Sequence, residues 1–513
     1  MLTRWMLENF KPIRALDLPT APLTVLAGLN SSGKSSLLQS ILLVAQTLAN
    51  QKLDEPLVLN GSLVRLGTFH DVCNDRAKEQ QIRIGFTLSA ITNGYRQLPS
   101  RHRSTGATSA DQAVSINMDV QFEGVAHEIE EGHGLQAVRA ALNRAEMNIM
   151  PPEPPKEGGV SPLDIVVSRA TSVEESEFTS GVREPYLSNL PCPPGQNYIA
   201  RVTSAEADPG NHFGGVSLVE LAHMVPRRYF RRYPQAYGIQ ALIESASTHL
   251  KLRADQAAQY IINTFSGSIR YLGPLRAEPQ AVQSYSPSGQ PDDVGAHGEY
   301  AAAVYASNRK QPIRWWNPDS QQIETAPLED ATDAWLRYLG IADHVSTREA
   351  AMPGVSWMVR SGPKTRERPL QAVGVGVSQV LPILVAGLLA PEGTILIMEQ
   401  PELHLHERPQ ARLGDFFYGL TRVGKQVFVE THSAVLINQL RFLMVTRGDE
   451  ARDAITIYFV EQDEQGDAKF EPIRISKGGA IENWPDGFFD ESFRQEGRIT
   501  QEGIRARGKR TNA

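Results

Sequence analysis

An α/β architecture, with a mixed or parallel sheet and flanking helices, is what this sequence predicts from three stretches. "LTVLAGLNSSGKSSLLQSILLVAQTL" (23–48), "TILIMEQPELHLHERPQARLGDFFYGL" (394–420) and "GKQVFVETHSAVLINQL" (424–440) each run from an apolar strand through a polar loop into a helix. Repeated strand–loop–helix order builds a sheet whose loops gather at the strand C-terminal ends, where ligands bind.

The first stretch is the most specific. Leu23–Ala27 reads as a buried strand, and Gly28–Ser35 fits G-x-x-x-x-G-K-[ST] without a mismatch. Leu37, Leu38, Ile41, Leu42, Ala45 and Leu48 then recur at helical spacing. A Gly/Ser turn alone would be ordinary; strand before and helix after make it a phosphate loop. Gly28 and Gly33 let main-chain N–H groups curl around phosphates at a helix N-terminus. Lys34 offers a point charge to the β- and γ-phosphates, and Ser35 a hydroxyl to Mg²⁺. Asn30, Ser31, Ser32 and Ser36 complete the candidate binding residues of the loop. Upstream, "ENFKPI" (8–13) ends a first strand, where Lys11 either reaches the nucleotide or is a solvated turn lysine.

The second half of the candidate site lies some 340 residues later. "VGVGVSQVLPILVAGLLA" (373–390) is a glycine-rich turn followed by an apolar helix. The strand at 394–399 ends in Glu399, Gln400, Pro401, Glu402, and the next in Thr431, His432, Ser433. Glu402 reads as a cap of the following helix or as an acid aimed inward; carboxylates at helix N-termini favour the cap. His404 and His406 alternate and are not four apart, which argues against a zinc pair.

Between the halves, Pro/Gly/Ser-rich segments at 101–112, 150–162 and 190–198 read as loops. The segment 128–147 ends in a plausible helix and 216–266 reads as helical, which predicts a mostly helical insertion lobe over 95–266. That lobe separates an N-terminal half (1–94) from a C-terminal half (267–450), and 451–513 carries a β-hairpin, a further module and a basic tail. No heptad run supports a coiled coil. "PRRYFRRYP" (226–234) interleaves Arg227, Arg228, Arg231 and Arg232 with aromatics, a pattern able to grip nucleic acid but more ordinary as a solvated helix face.

The 513 residues are 41% hydrophobic and 21% charged, as in folded soluble chains, with a formal net charge of −7 that gives no global basic field for nucleic acid. Two cysteines, Cys73 and Cys192, exclude a disulfide scaffold or cysteine cluster and fit a reducing compartment. The N-terminus lacks a signal-peptide pattern, and apolar runs such as 380–390 are too short to span a bilayer, so a cytoplasmic location is expected.

In this order the motifs resemble the ATP-binding-cassette (ABC) ATPases of the SMC, Rad50 and RecF type, and more closely the standalone bacterial ATPases related to OLD proteins. "YLGPLRAEPQ" (271–280), "VGAHGEYAAAVY" (294–305) and "KGGAIENWPDGFFDESF" (477–493) are similar to the subfamily with a DUF3696 module. The resemblance implies an ABC-type P-loop ATPase head that binds ATP and Mg²⁺. It implies Glu399 as the Walker B metal acid beside Ser35, His432 as the γ-phosphate switch, and Ser378 and Gln379 in a degenerate signature that acts across a homodimer or higher oligomer. His70 and Asp71 are weak stand-ins for a Q-loop glutamine. Gln400 falls where a catalytic carboxylate is expected; it orients water but accepts no proton, so ATP should be held well and hydrolysed slowly. No nuclease signature is apparent, so the implied setting is anti-phage defence with a separate nuclease or toxin effector. A RecF-like repair ATPase and a scaffold using ATP as a structural ligand are the alternatives; a transporter role is disfavoured by the insertion.

Overall fold

The structure is a computed structural model. It describes residues 1–50, 56–91, 113–127, 137–150, 163–169, 198–204, 215–222, 225–231, 257–284, 293–349 and 354–483, with 485, 495, 498, 499 and 501. These form two compact units: Met1–Ala21 with Ser35–Arg270 and Gly393–Ile395, and Pro22–Lys34 with Tyr271–Glu392 and Leu396–Ala513.

The first unit is built on β1 (Leu2–Phe10), β2 (Ile13–Pro19), β4 (Gln81–Ile91), β5 (Ala113–His127), β6 (Ala137–Met150), β7 (Leu163–Arg169), β8 (Tyr198–Ser204), β9 (Gly215–Ala222) and β10 (Val225–Arg231). They form one nine-stranded sheet in the order β10-β9-β8-β7-β6-β5-β4-β1-β2. Trp5 stacks on Phe86 at 5.7 Å between ring centroids, Phe86 meets Phe265 at 4.8 Å, and the Trp5 indole N–H donates to Ser40 Oγ at 2.9 Å. Ser40 lies in the helix Lys34–Ala49, which is buried on most sides and carries apolar residues through its middle, from Ile41 to Ala45.

This sheet corrects the expectation of a mostly helical lobe over 95–266. Helix in that span, among the described residues, is confined to 257–266. "AVRAALNRAEMNIM" has helix-forming composition, yet it is the strand β6, antiparallel to β5 and β7. In β5, Val114, Ile116, Met118, Val120 and Phe122 are all buried, a period of two that tertiary pairing rewards over local propensity. Likewise Arg227, Arg228 and Arg231 stand on β10 and not on a helix face, with Arg228 opposite Glu220 and Arg231 opposite Ser217. Arg232 lies outside the described residues, as do the loop expected at 101–112 and all but one end residue of those expected at 150–162 and 190–198, where Met150 ends β6 and Tyr198 begins β8.

A six-stranded sheet, most of it in the second unit, joins β3 (Leu23–Gly28), β11 (Ile269–Leu272), β17 (Ile395–Glu399), β18 (Gln426–Thr431), β19 (Ile455–Gln462) and β20 (Ala468–Pro472) in the order β11-β17-β18-β3-β19-β20. β3 is parallel to both β18 and β19, while β19 and β20 form the expected hairpin. Smaller sheets pair β12 (Pro312–Asn317) with β13 (Gln322–Pro327), and β14 (His344–Glu349) with β15 (Val355–Arg360) and β16 (Arg368–Pro369). The helices Val375–Leu389, Glu407–Arg422 and Ala434–Thr446 belong to this unit. Leu384, Phe416 and Leu440 from these helices, with Val429 of β18, share one continuous core. Among the described residues no helix is long and apolar enough to cross a membrane.

A buried lysine serves this core. Lys425 is buried and its Nζ donates to the carbonyls of Gly387 (2.7 Å) and Leu388 (3.0 Å), which end the helix Val375–Leu389. Burial pushes its pKa down to about 7. An unfolded chain would bind the lysine proton up to about pH 10. Unfolding therefore takes up a proton between these values, and stability from this residue rises with pH across about 7–10, by up to about 1.4 kcal/mol per pH unit. Urea unfolding at several pH values should show that rise in the wild type and a flatter profile in Lys425→Met; equal slopes would contradict it.

Candidate functional site

The end of β3 is shaped by one close approach. Thr431 pairs with Ala27 and Val460 with Gly28, so β18 and β3 end side by side while β19 runs on to Gln462. Gly28 has φ +145°, and a Cβ there would lie 2.1 Å from the Val460 carbonyl oxygen. Only glycine passes this point. Ser31 (φ +60°) and Gly33 (φ +106°) turn the main chain again before the helix begins at Lys34. Gln462 Nε2 of β19 donates to Ser31 O at 2.9 Å and ties down the loop. Leu29, Asn30 and Ser31 are exposed, whereas Ser32 and Lys34 are each 2% exposed.

Lys34 Nζ donates to Leu29 O (2.6 Å) and Gly28 O (3.2 Å) and lies 3.5 Å from Ser32 Oγ. Burial lowers its pKa, while the charges of Glu430 and Glu402 act to raise it. Ser35 and Ser36 lie in the first turn of the helix.

Three carboxylates are buried beside this loop. Glu399 ends β17 and is 5% exposed; its Oε1 accepts from the Tyr271 hydroxyl at 2.8 Å. Burial, and then the charge of Glu430, push its pKa up to about 7. Glu430, 3% exposed, precedes Thr431 on β18, and its carbonyl accepts from Gln400 N at 2.7 Å. Glu402 is 7% exposed; its Oε1 accepts from His432 N at 2.6 Å, and its Oε2 is buried with no hydrogen-bond partner among the described residues. Burial raises its pKa against the hydrogen bonds it accepts. The expected cap is thus corrected: the next helix starts at Glu407 after the N-cap His406, out of reach of Glu402, which instead joins the β17 turn to His432. Gln400 adopts φ +45° and His404 φ +61° in that turn. The His432 imidazole is half-buried against the Gly28 main chain, and burial together with the Lys34 charge lowers its pKa.

Arg276 completes the cluster. It is 9% exposed, its Nη1 donates to the carbonyls of Gly273 and Glu399 (3.1 Å to the latter), and its Nε and Nη2 are buried without a partner among the described residues. Burial lowers its pKa to about 10, which leaves it a cation at neutral pH. Tyr271, Arg276, Glu430 and Gln462 belong to no motif that the sequence alone assigns to the site. The first two stand in "YLGPLR", which carries only a family resemblance, and "VETHS" places an acid next to the threonine that precedes His432.

Ser378 is 6% and Gln379 8% exposed, and Ser378 Oγ donates to Val375 O at 2.7 Å inside its own helix. Because the helix begins at Val375, the exposed residues of that stretch are Gly374 and Val375, and the serine hydroxyl is turned inward. Lys11 belongs to the first unit, where φ is +51° and Nζ donates to Gln39 Oε1 at 2.7 Å. Asp71 accepts from the Thr68 amide and hydroxyl, both at 2.7 Å, in the short helix Phe69–Val72, which His70 shares.

The donor set fits the groups expected. A loop of main-chain N–H groups with a buried lysine suits a polyphosphate, and a hydroxyl with a carboxylate suits Mg²⁺, which takes oxygen ligands. Residues 260–438 match the family model described as "AAA domain, putative AbiEii toxin, Type IV TA system". Residues 451–498 match "Protein of unknown function (DUF3696)". The first match spans Tyr271, Arg276, Glu399, Glu402, Glu430 and His432. No curated protein matches the chain. Among solved structures it is similar to an SMC head bound to the C-winged helix domain of ScpA, at 12% identity over 93% of this chain and 98% of that one, with a TM-score of 0.36. It is also similar to the SMC head domain from Thermotoga maritima (11%; 92% and 99%; 0.31). A third is the Smc head domain with an extended coiled coil bound to the C-terminal domain of ScpA derived from Pyrococcus furiosus (12%; 92% and 96%; 0.35).

The close approach at β3 yields a stability prediction. Gly28→Ala must move Val460 or strain φ, and should destabilise by about 2–4 kcal/mol. Chemical denaturation reads this directly, and an effect below about 0.5 kcal/mol would show that the loop relaxes freely. A complete phosphate loop on β3 thus stands with three buried acids on the neighbouring turns and strands, in a chain whose residues 260–438 are similar to an AAA domain and whose residues 451–498 are similar to the DUF3696 module.

Proposed function

We propose that the loop Gly28–Ser36 binds ATP with Mg²⁺, that hydrolysis is slow, and that the bound and hydrolysed states switch contacts with a second copy and a separate effector. The observation that carries this reading is the buried Lys34 beside Glu402 and Glu430, on a loop that only glycine at position 28 permits. Main-chain N–H groups of Asn30 to Lys34 take the phosphates, and Lys34 gives up its carbonyl contacts for the β- and γ-phosphate oxygens. Ser35 and Glu399 would hold Mg²⁺, which supplies charge neutralisation on the phosphates. His432, held to Glu402 by its amide and to Gly28 by its ring, is placed to sense the terminal phosphate.

The proton acceptor in this reading is Glu402. Gln400 positions water but cannot take its proton, whereas Glu402 has a buried oxygen without a donor among the described residues. Its other oxygen holds the His432 amide, so proton transfer is linked to the sensor. Gly374 to Gly376, at the exposed start of the helix Val375–Leu389, offer main-chain N–H groups to the partner copy's phosphates in place of Ser378. The surrounding role is control of a nuclease or toxin effector in anti-phage defence. DNA-stimulated turnover would instead favour the RecF-like repair reading.

Two measurements test the core of this proposal. Lys34→Ala should abolish tight ATP binding in calorimetry while the protein stays folded; wild-type affinity in that variant would remove the phosphate loop from the mechanism. In steady-state phosphate release, the wild type should turn over on the order of 1 s⁻¹ or below, near the low end for enzymes. Glu402→Gln keeps an acceptor for His432 N and should lower turnover by about 10²-fold or more with ATP affinity nearly unchanged. A Glu402→Gln enzyme as fast as wild type would show that the base lies elsewhere.

A further inference from the structure

We propose that Tyr271 and Arg276 are positioning residues that grip Glu399 by its carboxylate and by its main-chain carbonyl, so that its second carboxylate oxygen is aimed at the cation. This rests on the reading of Glu399 as a metal acid. β11 lies next to β17 in the sheet, and the chain leaving β11 turns back through Gly273 and Pro274 to Arg276. The Tyr271 hydroxyl donates to Glu399 Oε1 at 2.8 Å, and Arg276 Nη1 donates to Glu399 O at 3.1 Å. The same Nη1 also donates to Gly273 O, so the guanidinium closes its own loop while it holds the end of β17.

The local sequence protects this arrangement. A Cβ on Gly273 would stand 3.0 Å from the Tyr271 hydroxyl oxygen, and Gly273 N is fixed to Ala296 O at 2.8 Å. Glycine therefore leaves the phenol its path to the carboxylate. A tyrosine hydroxyl has one proton to donate. Once Oε1 has received it, the carboxylate has a preferred orientation, with Oε2 left for a cation in monodentate fashion. Arg276 restricts the backbone from which that side chain hangs. A residue that only stabilised the loop would need neither contact to reach Glu399, and its loss would weaken nucleotide binding with and without metal alike. Groups that orient a ligating carboxylate typically contribute 10–100-fold to metal affinity.

The test uses the full chain and separates metal from nucleotide. Calorimetry with β,γ-imido-ATP is run in EDTA, and Mg²⁺ is then titrated into the nucleotide-saturated protein. Tyr271→Phe should raise the half-saturating Mg²⁺ concentration about 10-fold or more, with nucleotide affinity in EDTA within about threefold of wild type. Arg276→Lys keeps a cation but loses the fork, and should shift Mg²⁺ in the same direction; it decides the question if Tyr271→Phe fails to fold. Unchanged Mg²⁺ half-saturation in a folded variant, with normal Mg²⁺ linkage in the wild type, overturns the positioning role alone. A wild type without Mg²⁺-linked nucleotide binding overturns both this role and the reading of Glu399.

Discussion

Parallel pairing of β3 with both β18 and β19 is the constraint on which the site depends. Parallel neighbours place their C-terminal ends on one edge, and here the register sets the end of β3 beside that of β18, with β19 running on past it to Gln462. The segments that leave those strand ends are then forced into one place: the phosphate loop after Gly28, His432 after Thr431, and Gln462 at the end of β19. The cost is the crowding at Gly28, where Val460 O leaves no room for a side chain. The gain is a loop anchored from a neighbouring strand by Gln462 and lined by the His432 ring.

Charge is the second consequence. Glu399, Glu402 and Glu430 are buried near Lys34 and Arg276, and each carries a desolvation cost that its neighbours must offset. The offset is uneven. Burial and then the charge of Glu430 raise the pKa of Glu399, and the hydrogen bond from the neutral Tyr271 phenol offsets only part of that. Glu402 accepts a main-chain amide and keeps one oxygen without a partner among the described residues. A buried acid without a full set of donors is costly in a structure that serves only itself, and is well suited to a cation or a reacting water. The same reasoning applies to the two unpartnered nitrogens of Arg276.

The parts legible in the sequence are those whose signal is local. The phosphate loop, the strand–loop–helix units at 394–420 and 424–440, and the β19–β20 hairpin each sit within one short window of periodic residues and turn formers. The parts that are not legible depend on distant partners. Tyr271 meets Glu399 across 128 residues of chain, and nothing in "YLGPLR" announces it. The alanine-rich β6 has helical composition and becomes a strand because β5 and β7 flank it. "GVGVS" looks like a turn that would present Ser378 at the surface, but the helix starts three residues before the serine and buries it. Glu402 looks like a cap because a helix comes after it; that helix begins too late, and the amide within reach is that of His432.

That last difference bears on how hydrolysis is coupled to sensing in the proposed mechanism. A carboxylate at position 400 would act from the strand end, independent of the β18 loop. Glu402 acts from the turn beyond it and shares its charge with the His432 amide through a 2.6 Å hydrogen bond. A shift of His432 toward a bound phosphate would therefore pull on the group that takes the proton, and loss of the phosphate would release it. Gln400, whose own amide is fixed to Glu430 O, keeps the turn registered to β18 throughout. An ATPase arranged in this way loses rate, because its base is partly committed to a hydrogen bond, and gains a dependence of chemistry on the position of the sensor. That exchange suits a protein whose bound state is the signal.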